Sequence, residues 1–285
     1  MTTEPPAALK RQTPASMLDW LRSPPLLWQM RLGERLALEG ILSRLQPALS
    51  IEIGTAGGGS LSSISAHSRE VHSFDIDPGV ERLLEQFPNV VFHVGDSAEV
   101  VPAVFRELAD EGRSVDFALV DGDHSPEGAR RDAQALLDSD ACKSTVIVFH
   151  DAANEEVRAG LDAVGFERHP KVALVNLDFV PGYIVRDGVR RHEIWNGLAL
   201  VVLGERPDGG GLADADVYPA AQINRQMRDI FDRGPVPADN GERRADLDRE
   251  VTELNQTIRT MQQTRVWRIG AAWWRLRDRL LRRAN

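Results

Sequence analysis

Hydrophobic positions along the chain fall into short apolar runs separated by longer stretches with helical spacing. The short runs predict strands at 50–53, 70–74, 90–94, 117–120, 145–149, 173–177 and 198–203. Helical spacing predicts helices at 16–22, 32–45, 60–68, 80–86, 98–110, 126–139 and 155–164. Several strands are apolar throughout, as expected for a parallel sheet that is covered on both faces. The alternation of strands and helices therefore predicts an α/β fold with a doubly wound, mostly parallel sheet of seven strands.

The flanking segments differ in composition from this central region. Residues 1–15 are rich in Pro, Thr and Ala and predict a disordered N-terminus, whereas 16–204 form the predicted main domain with its N-terminal helices. Residues 205–241 predict a linker with a short helix at 222–232, and 242–285 a helical extension. Within that extension apolar residues recur with heptad spacing, which predicts a short coiled coil. They are Leu247, Val251, Leu254, Ile258 and Met261.

Charge is distributed unevenly along the chain. The net charge is −9, yet 264–285 contains seven arginines and one acid, Asp278. Because the rest of the chain is acidic, we expect no nucleic-acid partner, which would require a basic surface on the folded domain. The single cysteine, Cys142, and the absence of a signal-like start or a long apolar run predict a cytoplasmic protein.

A glycine-rich segment follows the first predicted strand, in the order Glu-Ile-Gly-Thr-Ala-Gly-Gly-Gly-Ser from Glu52 to Ser60. Glycine permits a sharp turn and close approach of the backbone to a ligand, and the following helix presents free N–H groups. The segment predicts a nucleotide-binding loop. Its candidate contacts are Glu52, Gly54, Thr55, Gly57 and Ser60. Taken alone, the loop leaves open a simple flexible turn in an α/β domain.

The second and third strands add polar residues at the spacing of an adenosine site. Asp75 ends the second strand, about twenty residues after the loop, where an acid can accept hydrogen bonds from both ribose hydroxyls. Asp77, which precedes a proline, is equally well explained as a helix cap. Asp96 and Ser97 follow the third strand, where the adenine would lie. Because Glu52 replaces the first glycine of the dinucleotide pattern, the ligand that these residues favour is S-adenosylmethionine.

Acidic and histidine residues follow the fourth and fifth strands. Asp121, Asp123 and His124 follow one, and His150 and Asp151 the other. These ends are neighbours in a parallel sheet, so the side chains should converge beside the methyl donor, where clustered acids favour a bound cation. Oxygen ligands suit Mg²⁺ or Mn²⁺, which would lower the pKa of a substrate hydroxyl so that a base can take its proton. The alternatives are that the aspartates only cap helices and that His150 only hydrogen-bonds within its loop.

From residue 50 to about 203 the chain resembles class I S-adenosylmethionine-dependent methyltransferases with a Rossmann-like sheet. The runs 120–132 and 148–151 are similar to bacterial metal-dependent sugar and small-molecule O-methyltransferases of the macrocin and aminocoumarin type. The resemblance implies methyl transfer to a hydroxyl of a sugar or glycan-type acceptor. It also implies metal ligands at Asp121, His150 and Asp151 and a base at Asp123, with His124 as the second candidate. Asp121 would additionally border the donor.

His150 is a departure, because the closer relatives often have a carboxylate there. Histidine weakens the preference for Mg²⁺. A metal-independent methyltransferase with His124 or His150 as base therefore stays open. Two other classes are disfavoured: a nicotinamide-dependent oxidoreductase, since no Tyr-x-x-x-Lys pair is present, and a non-catalytic scaffold, since the loop and acidic cluster are complete.

The C-terminal segment 264–285 combines its arginines with tryptophans and leucines at helical spacing. Such a helix fits peripheral contact with an anionic membrane, at the inner membrane face, or packing on the acidic body or another subunit. The heptad residues before it favour a homo-oligomer, because a lone helix would leave its apolar stripe exposed.

Overall fold

The computed structural model describes residues 26–185, 193–205 and 214–232. Two compact units are distinguished, Met1–Met227 and Arg228–Asn285, and the architecture below belongs to the first. The predicted disordered N-terminus, the helix at 16–22 and the extension at 242–285 lie outside the described residues. The proposed domain boundaries stay predictions.

A seven-stranded sheet forms the centre of the first unit. Its strands are β1 (Leu49–Ile53), β2 (Glu70–Asp75), β3 (Val90–Val94), β4 (Phe117–Val120), β5 (Val146–Phe149), β6 (Val172–Val180) and β9 (Leu198–Leu203). The order is β3-β2-β1-β4-β5-β9-β6. Strands β1 to β5 pair in parallel, while β9 is antiparallel to both β5 and β6. The predicted seven-stranded, mostly parallel sheet is confirmed.

Helices cover both faces of the sheet. They are α1 (Leu32–Leu45), α2 (Gly59–His67), α3 (Ser97–Asp110), α4 (Pro126–Asp138) and α5 (Glu155–Val164), with 3₁₀ segments at Pro78–Gln86 and Phe166–Arg168. A further helix, α6 (Asp214–Asp232), follows β9 in the chain and extends past the end of the first unit. The residues of strand β4 are all apolar because both of its faces are buried. Ala118 and Val120 join the core shared with α3 to α5, whereas Phe117 and Leu119 join the core shared with α1 and α2.

Three elements differ from the sequence prediction. Residues 80–86 belong to a 3₁₀ segment rather than an α-helix. Helix α6 spans Asp214–Asp232, whereas the sequence predicted only its later part, at 222–232. A hairpin of β7 (Tyr183–Ile184) and β8 (Ile194–Trp195) was not predicted, because two-residue strands show no periodicity. Among the described residues, no helix combines the length and apolarity needed to cross a membrane.

Candidate active site

The glycine loop joins β1 to α2 at the carboxyl edge of the sheet. Gly54 has φ +90°, and a Cβ there would lie 2.0 Å from the backbone oxygen of Asp121. A side chain at Gly54 would therefore separate the ends of β1 and β4. Gly58, also left-handed at φ +77°, is the N-cap of α2.

The segment before α1 lies directly on this loop. A Cβ on Gly57 would approach the Leu27 side chain to 2.9 Å, and one on Gly59 would approach the Leu27 carbonyl to 2.5 Å. A cleft runs between residues 27–30 and the loop and reaches Ser60 and Asp121. The absence of side chains at Gly57 and Gly59 thus lets the chain form one wall of a cleft at the predicted donor position.

Glu52 lies beneath the loop and is fully buried. The Ser60 hydroxyl donates to its Oε1 at 2.7 Å and the Ser73 hydroxyl to its Oε2 at 2.9 Å. Burial raises the pKa of Glu52 to about 7, although these hydrogen bonds oppose the shift. Thr55 adds a hydroxyl contact to Ser73. Glu52, Thr55 and Ser60 therefore form a buried network beneath the loop, and their predicted contacts to a cofactor stay predictions.

Asp75 ends β2 beside the loop. Its Oδ2 accepts from the backbone N–H groups of Thr55 and Ala56, both at 2.9 Å, and its Oδ1 accepts from Asp77 N–H at 2.8 Å. Asp77 caps the next 3₁₀ segment by accepting from Gly79 N–H. Of the two acids, Asp75 is the one placed against the loop, where a ribose would be bound.

Asp96 and Ser97 begin α3 at the same edge. Asp96 caps the helix by accepting from Ala98 N–H at 2.9 Å, and its side chain is half exposed. The Ser97 hydroxyl donates to the buried Asp132 of α4 at 2.8 Å. The exposed Asp96 carboxylate retains acceptor capacity for an adenine amino group, whereas the Ser97 hydroxyl donates to Asp132 and accepts from Arg131 within the protein.

Asp121, His150 and Asp151 converge at the ends of β4 and β5, as predicted. His150 Nδ1 donates to Asp121 Oδ1 at 2.9 Å and lies 3.4 Å from Asp151 Oδ2. Asp151 also accepts from the backbone N–H of Asn196. Asp151 has φ +53°, a left-handed conformation that is uncommon for residues other than glycine. Its position is fixed by contacts on both sides.

The two candidate bases lie in different surroundings. His124 Nε2 lies 3.0 Å from Asp151 Oδ2 and 3.4 Å from Asp121 Oδ1, and its side chain is 38% exposed. Asp123 instead turns toward α4: its Oδ1 accepts from Ser125 N–H, and a Cβ on Gly128 would lie 2.2 Å from its Cγ. The structure brings His124 to the cluster and gives Asp123 no hydrogen bond to it.

Two buried residues that the sequence analysis missed surround His150. Glu34 of α1 places Oε1 3.4 Å from His150 Nε2 and accepts from Gly197 N–H at 2.7 Å. Asn196 donates its side-chain amide to Glu34 Oε2 at 2.9 Å. No motif marks either residue; a glutamate in the first turn of a helix is common.

Charge pairing sets the ionisation of the cluster. Hydrogen bonding to Asp121 and Asp151 raises the pKa of His124 to about 9, although burial opposes the shift. Burial disfavours the charged form of His150, but Asp121, Asp151 and Glu34 outweigh it and raise the pKa well above its ordinary value. Burial likewise opposes ionisation of Asp121, and the charge of His150 outweighs it, so the pKa of Asp121 is lowered. The pKa of Asp123 is lowered mainly by the Ser125 N–H.

The geometry of Asp121, His150 and Asp151 is compatible with a divalent ion. Their potential ligand atoms all lie within 4.8 Å of one another. Adjacent ligands of an octahedral ion with bonds near ~2.1 Å are about 3 Å apart, similar to the 2.9 and 3.4 Å found around His150 Nδ1. Binding would require His150 Nδ1 to give up the proton that it now donates to Asp121.

Sequence comparison identifies a known family over the part of the chain that contains these residues. Residues 51–152 match the family described as "Methyltransferase domain". The matched segment extends from β1 to the loop after β5 and so includes the glycine loop, Asp75, Asp96, Asp121 and the His150–Asp151 pair. No curated protein sequence matches the chain significantly.

Solved structures similar to this chain include proteins described as methyltransferases or methylases. The O-methyltransferase from Bacillus cereus, in complex with SAH, is 14% identical at TM-score 0.47, covering 61% of this chain and 82% of that one. TomG from Streptomyces achromogenes, an O-methyltransferase involved in tomaymycin synthesis, is 18% identical at TM-score 0.45, covering 62% and 82%. An rRNA methylase from Streptococcus thermophilus is 12% identical at TM-score 0.41, covering 63% and 100%. These distant likenesses identify no acceptor.

The family match and the architecture agree over the matched segment. The matched segment provides the glycine loop and the acid at the end of β2, on a doubly wound, mostly parallel sheet. Residues 51–152 therefore match a methyltransferase domain, and the sheet that contains them has the doubly wound, mostly parallel arrangement that the sequence predicts.

Proposed function

We propose that this enzyme transfers the methyl group of S-adenosylmethionine to a hydroxyl oxygen, assisted by Mg²⁺ or Mn²⁺ at Asp121, His150 and Asp151. The observation that supports it is the position of Asp121, which borders the cleft at the glycine loop and also bonds His150. Donor cleft and acidic cluster are thus adjacent. When bound, the ion would supply a positive charge that lowers the pKa of the acceptor hydroxyl.

Methyl transfer also requires a group that takes the hydroxyl proton. The acceptor oxygen forms a bond to the methyl carbon, the carbon–sulfur bond breaks, and its electron pair stays on the sulfur of S-adenosylhomocysteine. We assign the proton to His124, because its ring is partly exposed and lies against Asp121 and Asp151. Asp123 is the less suitable base, since its lowered pKa makes it a weak proton acceptor.

The ionisation of His124 links the base to the cation. With its pKa raised to about 9 by Asp121 and Asp151, the ring is protonated at neutral pH and has no free nitrogen for the proton. A divalent ion would compensate the charge of both aspartates and thereby favour the neutral ring.

The acceptor that we propose is a sugar or glycan hydroxyl. This choice is based on the similarity of the segments 120–132 and 148–151 to sugar O-methyltransferases. It is supported by Trp195, whose ring lies edge-on to His124 with the centroids 5.6 Å apart. An aromatic side chain beside the base gives the site an apolar wall, against which the face of a sugar ring can pack.

One observation favours the metal-independent alternative. His124 and His150 lie between Asp121, Asp151 and Glu34, so two imidazolium groups can offset most of the negative charge of the three acids without a metal. In that case the enzyme would be active without a divalent ion, and its rate would rise with pH toward about 9 as His124 loses its proton.

A methyl-transfer assay tests the proposal. Donor with a radiolabelled methyl group is incubated with a panel of sugars, nucleotide sugars and phenols, before and after EDTA and with Mg²⁺ or Mn²⁺ restored. We expect label in a sugar hydroxyl, lost with EDTA and recovered with the ion. Activity that is indifferent to EDTA would support the metal-independent enzyme, and label only in a phenol would contradict the sugar acceptor.

Two matched variants test the role of the cluster. Asp121→Asn should lower turnover by at least about 100-fold while S-adenosylhomocysteine still binds in calorimetry. The control is Asp138→Asn, an exposed aspartate at the end of α4, which should leave turnover unchanged. Full activity of Asp121→Asn would contradict the proposed role of the cluster.

A further inference from the structure

Glu34 is a buried carboxylate that connects α1 to the cluster. It is 1% exposed, and Gly197 N–H donates to Oε1 at 2.7 Å. Arg31 N–H donates to Oε2 at 2.6 Å, as does the Asn196 amide at 2.9 Å. The carboxylate is therefore fixed on three sides, with Oε1 remaining 3.4 Å from His150 Nε2.

His150 Nε2 has a second polar neighbour beside Glu34, the side-chain amide of Asn196. Asn196 Nδ2 lies 3.1 Å from His150 Nε2. The same amide nitrogen has two oxygen acceptors, Glu34 Oε2 at 2.9 Å and the Gln29 carbonyl at 3.4 Å. Since its two hydrogens can both be directed to oxygens, Nε2 of His150 is left as a donor toward Glu34.

We propose that Glu34 is a positioning residue, which accepts the Nε2–H of His150 and so holds Nδ1 toward Asp121 and Asp151. The arrangement has the order carboxylate–histidine–acidic pair. It is the order found where a metal-ligating histidine donates its second ring N–H to a carboxylate, which fixes the tautomer and the ring orientation. The proposal rests on the proposed function for the role of the acidic pair, and on contact geometry for the orientation of His150.

The capping role of Glu34 provides the competing explanation. Glu34 also completes a capping box at the start of α1, so its replacement can weaken the helix without any effect through His150. A test therefore needs a signal from the His150 ring itself.

Long-range ¹H–¹⁵N spectra of the full chain provide that signal, because they distinguish protonated from unprotonated ring nitrogens. The His150 signals are assigned by their loss in His150→Gln. We expect Nε2 to be protonated in the wild type and both ring signals to shift in Glu34→Gln. An unprotonated Nε2 in the wild type, or unchanged ring signals in Glu34→Gln, would overturn the proposal.

Helix α1 contains a matched control. Glu39 accepts from Ser63 and lies 2.9 Å from His67 Nε2, so it forms a carboxylate–histidine pair that begins on the same helix and is separate from that of Glu34 and His150. Glu39→Gln should shift the His67 ring signals and leave those of His150 unchanged. Shifts of His150 in both variants would show a general loosening of α1 and would count against the proposal.

Titration with Mn²⁺ alone adds a second readout that does not need the acceptor. Loss of a residue that orients a metal ligand typically weakens metal affinity by about 10–100-fold, so we expect that loss in Glu34→Gln and none in Glu39→Gln. In a His150→Gln background, Glu34→Gln should cause no further loss; an equal further loss would show that Glu34 acts through the fold. If the wild type binds no Mn²⁺, metal assistance is wrong, while the ring signals still decide the role of Glu34.

Discussion

Two aspartates separated by one residue, Asp75 and Asp77, show how position relative to the loop determines the role of a side chain. Both are carboxylates at the carboxyl end of β2. Asp75 binds two N–H groups of the glycine loop, whereas Asp77 binds only the first turn of the 3₁₀ segment that follows it. An acid that is both fixed against the loop and partly exposed can accept ribose hydroxyls.

We predict that Asp75→Ala weakens S-adenosylhomocysteine binding by about tenfold or more, since hydrogen bonds to a charged group contribute about 1.5–3 kcal/mol. Asp77→Ala should lose about 1 kcal/mol of stability through the missing cap and keep the affinity nearly unchanged. Calorimetric titration of both variants, with chemical unfolding of each, checks this. Equal losses of affinity would contradict the assignment of the ribose to Asp75.

The buried carboxyl group of Glu52 beneath the loop makes the stability of the fold depend on pH. The folded state keeps Glu52 protonated up to about pH 7, whereas the unfolded chain releases the proton near 4.5. The stability that the protonated form of Glu52 contributes to the folded state is therefore fully present below pH 4.5 and is lost as the pH rises to about 7. The stability of the wild type relative to Glu52→Gln should fall by about 3 kcal/mol over this interval. Urea unfolding of both proteins at pH 5 and pH 8 measures the difference, and parallel stability curves would contradict it.

At the scale of elements, glycines decide how closely the layers approach. Gly160 of α5 faces α4, and a Cβ there would lie 2.3 Å from the Pro126 carbonyl and 2.9 Å from the Ala129 side chain. Helix α4 follows the loop that contains Asp123 and His124. The contact between α4 and α5 therefore supports the loop that contains the proposed base.

We predict opposite effects for two Gly→Ala substitutions in helices. Gly160→Ala should destabilise the protein by about 1–3 kcal/mol, because the added methyl group forces α4 and α5 apart. Gly40→Ala, in α1 with nothing within 4 Å of the new methyl group, should stabilise it by about 0.5–1 kcal/mol through helix propensity. Equilibrium unfolding in urea compares them, and a stabilising Gly160→Ala would contradict the close packing.

At the scale of the whole molecule, the basic C-terminal segment and the acidic remainder of the chain raise the question of self-association. The heptad residues at 247–261 predict pairing between chains, and the arginines at 264–285 a contact with acidic protein surface or an anionic membrane. These segments lie outside the described residues, so the homo-oligomer and the peripheral membrane contact stay predictions, as do cytoplasmic location and the absence of a nucleic-acid partner.

Deletion of residues 242–285 is predicted to convert an oligomer into a monomer and to leave S-adenosylhomocysteine binding intact. Light scattering on both forms gives the molar mass, and co-sedimentation with anionic and neutral vesicles tests the membrane. A monomeric full-length chain would show that the predicted oligomer is wrong. Sedimentation of only the full-length form with anionic vesicles would identify the membrane as the partner of 264–285.

The sequence by itself determined the sheet and the loop, because both depend on local patterns. Strands buried on two faces must be apolar throughout, which gave the bounds of β3, β4 and β9 as observed. The glycines marked where the backbone approaches its neighbours, and parallel pairing brought Asp121, His150 and Asp151 together from two separate strand ends.

Only the tertiary structure decided which of these side chains contact one another. Glu34 and Asn196 are separated by 162 positions and meet beside His150, a contact that no local pattern encodes. The difference between His124 and Asp123 likewise depends on the turn after β4. This turn directs the His124 ring to Asp151 and the Asp123 carboxylate to α4. Such contacts depend on how distant segments pack, and a single sequence specifies them only through the complete fold.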